Sequence, residues 1–217
     1  IDVPVLAVPH SILASLALFQ SPRPWRRVVN LLNVMRTPHP RRLRLIALGD
    51  SIFRHIELYT PGLADQFSIL DPPYFWDAAE TSAATEQLRF GYLGVTSKNK
   101  GFPDFYRLAD SMRSESATFH LGGYVNEAVE TGTYSDAVEG MDTIPLDRET
   151  FRSRAHSLSY VVWTGNPKHY ELTASATFLD TLSYLKPGIF YRNAFVGSYF
   201  ERMGDIGYLC DSFDEMR

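Results

Sequence analysis

The chain has 217 residues and a formal net charge of −4, and 45% of its residues are hydrophobic and 21% charged. These values are ordinary for a soluble globular protein of one large or two small domains, and they exclude a nucleic-acid binder that works through a bulk positive field. The single cysteine, Cys210, allows no intramolecular disulfide and favours a reducing compartment. No apolar run reaches the roughly 18 to 20 residues needed to span a bilayer.

The first third of the chain alternates short apolar runs with helical patterns, which predicts alternating strands and helices. The predicted strands cover residues 3–8, 43–48 and 67–70. The predicted helices cover residues 12–19, 25–35 and 51–58. We expect the strand at 3–8 to be buried, and Asp50 or Ser51 to cap the third helix. A polar stretch at 77–87 is predicted to link two domains, which gives domains of residues 1–80 and 81–217.

The alternation of apolar runs with helical patterns resumes after this stretch and is clearer there. The predicted strands cover residues 88–93, 117–121, 160–163, 188–191 and 206–209. The predicted helices cover residues 103–112, 148–156, 173–185 and 196–203, and residues 126–142 are predicted to form a loop. Strands that alternate with helices form parallel, doubly wound sheets, so the sequence predicts an α/β fold.

The turn at residues 94–101 follows a predicted strand and precedes a predicted helix. Ligands of an open α/β sheet bind beyond the carboxyl ends of its strands, which is where this turn would lie. Gly94 allows the backbone to approach a phosphate closely, and Lys98 and Lys100 supply positive charge for it. Turns with lysine and glycine are also common on protein surfaces. The sequence of this turn alone is therefore also compatible with a solvated turn that binds no ligand.

The stretch from Tyr170 to Lys186 contains a second candidate for anion binding. Small residues around Ser175 would leave backbone amides at the start of the following helix open to an anion. On a helical wheel Asp180 lies on the small, polar face, where it would accept hydrogen bonds from sugar hydroxyls. Periodicity alone favours the simpler interpretation, in which Asp180 lies on the exposed side of an amphipathic helix.

His10 follows the first predicted strand and is a candidate donor or base in a cleft, although a histidine in such a place is more often structural. The six histidines show no metal-ligand spacing and there is no Cys/His cluster, so no metal site is expected. The sequence also lacks the Gly-x-Ser-x-Gly elbow of serine hydrolases, a Walker loop and a Gly-x-Gly-x-x-Gly fingerprint. These classes of enzyme are therefore not favoured.

Taken together, these stretches resemble the retaining glycosyltransferases of the GT-B fold, the large family-four group that uses nucleotide-diphosphate sugars. Gly94, Lys100 and Gly101 resemble the family's stretch of a Gly-Arg pair followed by a Lys-Gly pair, in which the lysine binds the donor diphosphate. The family's arginine is replaced here by Val95, and Lys98 is the candidate to replace its charge. The resemblance covers nearly the whole chain loosely, and it implies two Rossmann-like domains, the first of them incomplete.

The resemblance also assigns roles outside this turn. Asp180 takes the place of the second glutamate of the family's Glu-x7-Glu motif, which holds the nucleotide ribose. The first glutamate of the motif falls at Leu172, whose apolar side chain cannot replace a carboxylate. The neighbouring Glu171 could take this role after a small shift of the loop. His10 falls on the family's histidine near the transferred sugar. Because the chain begins without Met and ends where a helix begins, we expect a fragment of a longer protein.

The resemblance implies a glycosyltransferase of the hexosyltransferase type, acting in polysaccharide biosynthesis with retention of configuration and without a metal or other cofactor. The acceptor would be a saccharide, a lipid-linked sugar or a protein, and no nucleic acid is expected as a partner. We expect a cytoplasmic location, with peripheral association at the inner face of the membrane left open.

The alternative is a non-catalytic nucleotide- or sugar-binding protein that keeps the fold. The nucleotide-sugar ligands would be Gly94, Lys98, Lys100, Glu171, Ser175 and Asp180, and the catalytic candidates are His10 and Lys100.

Overall fold

A computed structural model describes residues 3–18, 35–37, 42–76, 87–112, 114, 116–126 and 136–217. The chain forms two compact units, and each unit is built from three segments. The first unit consists of Ile1–Pro73, Pro167–Ser175 and Asn193–Tyr199, and the second of Tyr74–Asn166, Ala176–Arg192 and Phe200–Arg217. The predicted linker falls almost entirely outside the described residues, and the predicted division after residue 80 stays a prediction.

A parallel three-stranded sheet forms the framework of the first unit. Its strands are β1 (Val5–Ala7), β2 (Leu43–Ala47) and β3 (Phe67–Ile69), in the order β1-β2-β3. Among the residues that the structure describes, this unit contains α1 (Ala14–Leu18) and α2 (Asp50–Tyr59), with short 3-10 turns at Ser11–Leu13, Ala64–Gln66 and His169–Glu171. Parallel strands need a crossover between them, and α2 lies on the crossover from β2 to β3. The predicted helix at 25–35 lies outside the described residues except for its last residue.

Two expectations about the first unit are wrong. The first strand forms, but Val5 and Leu6 have exposed side chains, because β1 is an edge strand that pairs only with β2 among the described strands. The cap of α2 is Gly49 rather than Asp50 or Ser51, and no side chain makes the capping hydrogen bond. Gly49 has a φ of 107°, a conformation open to glycine that turns the chain from β2 into the helix. Side-chain capping preferences do not reveal such a turn.

A parallel five-stranded sheet forms the framework of the second unit, in the order β5-β4-β6-β7-β8. Its strands are β4 (Leu88–Val95), β5 (Ala117–Tyr124), β6 (Tyr160–Trp163), β7 (Gly188–Tyr191) and β8 (Gly207–Cys210). The helices that follow β3 in the chain are α3 (Phe102–Met112), α4 (Arg148–Ser157), α5 (Ala176–Ser183), α6 (Ala194–Met203) and α7 (Phe213–Met216). Helix α6 begins in the first unit and ends in the second. The predicted α/β class with parallel sheets is confirmed.

The strand order places a switch point at β4 and β6. The chain runs from β4 to β5 on one side and then crosses to β6 on the other side of β4, so the direction of winding reverses there. In doubly wound folds the crevice at the carboxyl ends of two such strands is where ligands bind. The connections that leave β4 and β6 therefore mark the expected binding position in the second unit.

Aromatic side chains pack α3 against the sheet of the second unit. Phe102 and Phe105 are fully buried, and the ring of Tyr92 on β4 lies 5.3 and 5.5 Å from them between centroids. Phe119 of β5 meets Phe105 edge-on at 5.9 Å. Each such ring buries a large apolar area, so this cluster fixes where α3 begins, directly after the turn at 94–101.

Helix α5 is shorter than predicted, since it spans Ala176–Ser183 rather than residues 173–185. Leu185 ends it with a φ of 52°, in the left-handed region, and the Lys186 amide donates to the carbonyl five residues earlier at 3.0 Å. This arrangement is a C-terminal cap. At the other end, residues 173–175 are buried and lie outside the helix, which begins at Ala176.

Candidate functional site

The backbone at the end of β4 runs close to the first turn of α5. Gly94 has a φ of +87°, and a Cβ there would lie 3.2 Å from the hydroxyl oxygen of Thr177. Across the sheet, Gly94 pairs with Gly123 of β5, where a Cβ would lie 1.9 Å from the Gly94 carbonyl oxygen. Because neither glycine has a side chain, the backbones of β4 and β5 can approach each other closely at this point. The end of β4 therefore lies beside the amino end of α5, and backbone amides in the first turn of a helix attract anions.

Gly101 packs directly against the connection that leaves β6. Its φ is +79°, and a Cβ there would lie 1.8 Å from the Thr164 carbonyl oxygen, so a larger residue requires the backbone to move. Thr164 Oγ1 donates to the Gly101 carbonyl at 2.7 Å, and the Asn166 amide donates to the Asn99 carbonyl at 3.0 Å. The turn after β4 and the residues after β6 are thereby fixed to each other at the switch point.

Lys100 lies in this turn, and hydrogen bonds to two side chains fix both its backbone amide and its carbonyl. The Lys100 amide donates to Ser97 Oγ at 3.1 Å, and its carbonyl accepts from the Tyr92 hydroxyl at 3.2 Å. Burial lowers the pKa of the Lys100 ammonium, and attraction to the Asp180 carboxylate opposes that shift. A partly desolvated ammonium binds an anion more strongly than a fully hydrated one, because the surrounding dielectric is lower. Lys98, two residues earlier, has an exposed side chain.

Asp180 lies on α5, in the same unit as Lys100. Burial raises the pKa of the Asp180 carboxyl, whereas a hydrogen bond from Tyr74 and the Lys100 ammonium act to lower it. The net shift is upward, so burial is the largest effect. The structure thus brings Gly94, Lys100 and Asp180 of the predicted set together around the amino-terminal half of α5.

Tyr74 is a contact of Asp180 that the sequence analysis missed. Its hydroxyl donates a short hydrogen bond to Asp180 Oδ1 and lies 3.3 Å from the Ala176 carbonyl oxygen. Burial and the neighbouring Asp180 raise the pKa of Tyr74, so the phenol stays protonated and acts as a donor. Asp180 lies 106 residues further along the chain, and no local pattern signals a contact over that separation.

Glu171 belongs to the first unit, where a tyrosine and a lysine hold it. Tyr59 of α2 donates to Glu171 Oε2 at 2.5 Å, and Lys168 Nζ lies 3.0 Å from the same oxygen. Lys168 also bonds to the Tyr59 hydroxyl. Burial raises the pKa of Glu171, but the contacts with Tyr59 and Lys168 outweigh it and lower the pKa overall. Glu171 is therefore a charged carboxylate in a fixed orientation.

Leu172 and Ser175 both lie in the interior of the first unit. Leu172 is fully buried, so its side chain is part of the core and takes no ligand-binding role. Ser175 is 3% exposed, and its hydroxyl bonds to Tyr170, which is also buried. Burial raises the pKa of Tyr170 to about 12, against the effect of that hydrogen bond. The predicted role of Ser175 at an anion site thus depends on its backbone rather than on its hydroxyl.

His10 lies at the carboxyl edge of the first sheet. It follows β1, its side chain is exposed, and its carbonyl accepts from the Leu13 amide at 3.2 Å. The predicted residues accordingly fall into two groups. Those of the second unit are Gly94, Lys98, Lys100 and Asp180, and those of the first are His10, Glu171 and Ser175.

In the described part of the chain, no group of three or more His, Cys, Asp or Glu side chains could hold a metal ion. None of the helices in that part has the length and apolar character required to cross a membrane. The metal-independent chemistry that the family resemblance implies stays a prediction.

No protein-family model matches the chain, and no curated protein matches its sequence. Solved structures do match its fold. Anabaena Alr3699/HepE in complex with UDP-glucose matches with a TM-score of 0.67 at 14% identity, over 95% of this chain and 58% of that one. A variant of S. aureus TarM in complex with fondaparinux, alpha-GlcNAc-glycerol and UDP matches with a TM-score of 0.55 at 12% identity, over 80% and 35%. The lipopolysaccharide outer core galactosyltransferase WaaB, in its apo form, matches with a TM-score of 0.53 at 14% identity, over 69% and 43%.

These likenesses establish the fold. The chain spans between 35% and 58% of the length of the three structures. They are GT-B glycosyltransferases with Rossmann-like domains, and both units of this chain have the parallel sheet and flanking helices of such domains. The chain therefore has the α/β, Rossmann-like fold of the GT-B glycosyltransferases.

Proposed function

We propose that the chain belongs to a glycosyltransferase that moves a sugar from a nucleotide-diphosphate sugar to an acceptor. The observation that carries this proposal is that a lysine and a carboxylate of the second unit, Lys100 and Asp180, are both partly buried and close enough for their charges to attract. Lys100 lies at the carboxyl edge of a parallel sheet, at its switch point, where doubly wound folds bind ligands. A cation and a carboxylate match the diphosphate and the ribose hydroxyls of such a donor.

The donor diphosphate is assigned to Lys100 and the amino end of α5. Negative charge grows on the diphosphate as its bond to the sugar breaks, and a preorganised, partly desolvated ammonium stabilises that charge better than water does. Gly94 lets the backbone approach the phosphates, and Lys98 adds a second, exposed charge. Lysines and helix amides then balance the charge without a metal ion.

The sugar end of the donor is assigned chiefly through the family resemblance. His10 is the candidate near the transferred sugar, and Glu171 and Ser175 complete the donor ligands. The fixed, ionised state of Glu171 supports its role as an acceptor of sugar hydroxyls. The proposal includes retention of configuration, a saccharide, lipid-linked or protein acceptor, and a cytoplasmic location with peripheral association at the inner face of the membrane left open.

A panel of donors tests the proposal. We expect at least one of the uridine, guanosine, adenosine and thymidine diphosphate sugars to raise the unfolding temperature, because a ligand that binds only the folded state stabilises it. At 100 times the Kd the gain is about 2.7 kcal/mol. Transfer or hydrolysis of the same donor provides the measurement of turnover. A protein that neither binds nor turns over any of the four contradicts the proposal.

The lowered pKa of Lys100 predicts how donor binding depends on pH. Only the ammonium form attracts a diphosphate, so affinity should fall as the pH rises through a Lys100 pKa that lies below the ordinary 10.5. The Lys100→Arg variant keeps its charge throughout, since arginine has a pKa above about 12. We expect its affinity, relative to its own value at pH 7, to stay constant over this alkaline range. Calorimetric titration of both proteins checks this, and parallel curves would contradict the assignment.

A binding protein without catalytic activity is the second candidate function. Two observations favour it, since Val95 replaces the family's arginine and the fully buried Leu172 replaces a glutamate. This candidate predicts stabilisation by a nucleotide sugar with no transfer and no hydrolysis. The donor panel therefore separates the two functions, because they share the binding result and differ in turnover.

A further inference from the structure

Tyr74 is a residue of the second unit that contacts Asp180 and that the proposed function leaves unused. The Tyr74 hydroxyl donates a short hydrogen bond to Asp180 Oδ1. The same hydroxyl lies 3.3 Å from the carbonyl oxygen of Ala176, one helical turn earlier on α5. Both contacts are on one face of α5, and together they set the position of the Tyr74 hydroxyl relative to the Asp180 carboxylate.

The bond from Tyr74 leaves Asp180 able to accept further hydrogen bonds. A carboxylate has about four lone-pair sites on its two oxygens, and Tyr74 occupies one of them. Burial favours the protonated form of Asp180, whereas the bond from Tyr74 and the Lys100 ammonium lower its pKa and favour the carboxylate. Tyr74 therefore helps to keep Asp180 in the form that accepts hydrogen bonds at both oxygens.

We propose that Tyr74 is a positioning residue for donor recognition, which holds Asp180 so that the carboxylate accepts a hydrogen bond from a ribose hydroxyl of a nucleoside diphosphate. This inference rests on the proposed function. Tyr74 stays bound to Oδ1 while the ribose hydroxyl takes another lone pair of Asp180. If the ribose displaced Tyr74 instead, one hydroxyl–carboxylate bond would replace another of the same kind, and the exchange would add little affinity.

The test compares Tyr74→Phe with the parent protein by isothermal titration calorimetry. The ligands are uridine, guanosine and adenosine diphosphates, their 2′,3′-dideoxy analogues without ribose hydroxyls, and inorganic pyrophosphate without the nucleoside. We expect the variant to bind the best ribonucleoside diphosphate about tenfold more weakly, and its dideoxy analogue and pyrophosphate as tightly as the parent does. The matched control is Tyr208→Phe, which removes the hydroxyl of an exposed ring on β8 and should leave all these affinities unchanged.

The pattern across the ligands separates positioning from a structural role. A loss that is equal for all ligands, or no loss for any of them, would overturn the inference while the proposed function still stands. Tighter binding of the ribonucleoside diphosphate by Tyr74→Phe would also overturn it, because Tyr74 would then compete with the ribose. If the parent protein binds none of the diphosphates, the proposed function fails and this inference fails with it.

Discussion

A Lys100→Ala variant is expected to lose most of its donor binding and turnover. In the parent protein the Lys100 ammonium is partly desolvated and interacts with Asp180, and the turn that carries it is fixed against β6. Removal of one preorganised donor that faces developing negative charge costs about 10²–10³ in kcat. We expect a loss of that order in kcat/KM for transfer from the nucleotide sugar that stabilises the protein best.

Two other cations provide the controls for this variant. Lys98→Ala removes an exposed charge from the same turn, and screening by solvent and salt should limit its effect to about two- to fivefold. Arg148→Ala removes an exposed cation at the start of α4 and should leave kcat/KM unchanged. A Lys100→Ala protein with parental kcat/KM would contradict the assignment, and so would a Lys98→Ala protein with an equal loss. For the binding-protein alternative, the same ranking should appear in Kd, without turnover.

Those parts of the second unit that depend on local sequence were predictable. The strands β6 and β7 have the predicted bounds, because each is a short apolar run between turn residues, such as Pro187 before Gly188. The position of Lys100 after a strand and before a helix is also local information, since glycine and lysine interrupt the apolar pattern there. The parallel sheet then follows from alternation alone, because strands joined through helices run in the same direction.

Contacts between distant segments were not predictable in the same way. Tyr74 and Asp180 are 106 residues apart, and Gly101 and Thr164 are 63 apart, so neither pair leaves a periodic signal. The exposure of β1 was missed for a related reason: apolar residues predict a strand but not which elements cover it. The start of α5 was also mispredicted, because residues 173–175 fit the helical periodicity but lie outside the helix.

A Gly101→Ala substitution should destabilise the protein more than any other change considered for the turn. The new Cβ would lie 1.8 Å from the Thr164 carbonyl oxygen, and the φ of +79° is unfavourable for alanine. A left-handed non-glycine residue alone costs about 1–3 kcal/mol, and the contact with backbone atoms adds to this because neither partner is a flexible side chain. We expect a loss of at least about 3 kcal/mol in the free energy of unfolding, measured by urea denaturation.

Gly204→Ala is the matched control, because it separates backbone strain from the steric contact. Gly204 has a φ of +81°, nearly that of Gly101, but no atom lies within 4 Å of the position of its Cβ. This control should lose only about 1 kcal/mol, and the difference between the two variants measures the contact with Thr164. Equal losses of unfolding free energy in the two variants would mean that the turn can move away from Thr164 without a cost in stability. The contact with Thr164 could then not be what fixes the position of Lys100. We expect Gly101→Ala to lose more stability than Gly204→Ala and its folded fraction to bind pyrophosphate more weakly than the parent does. In that case the contact that stabilises the second unit also positions Lys100.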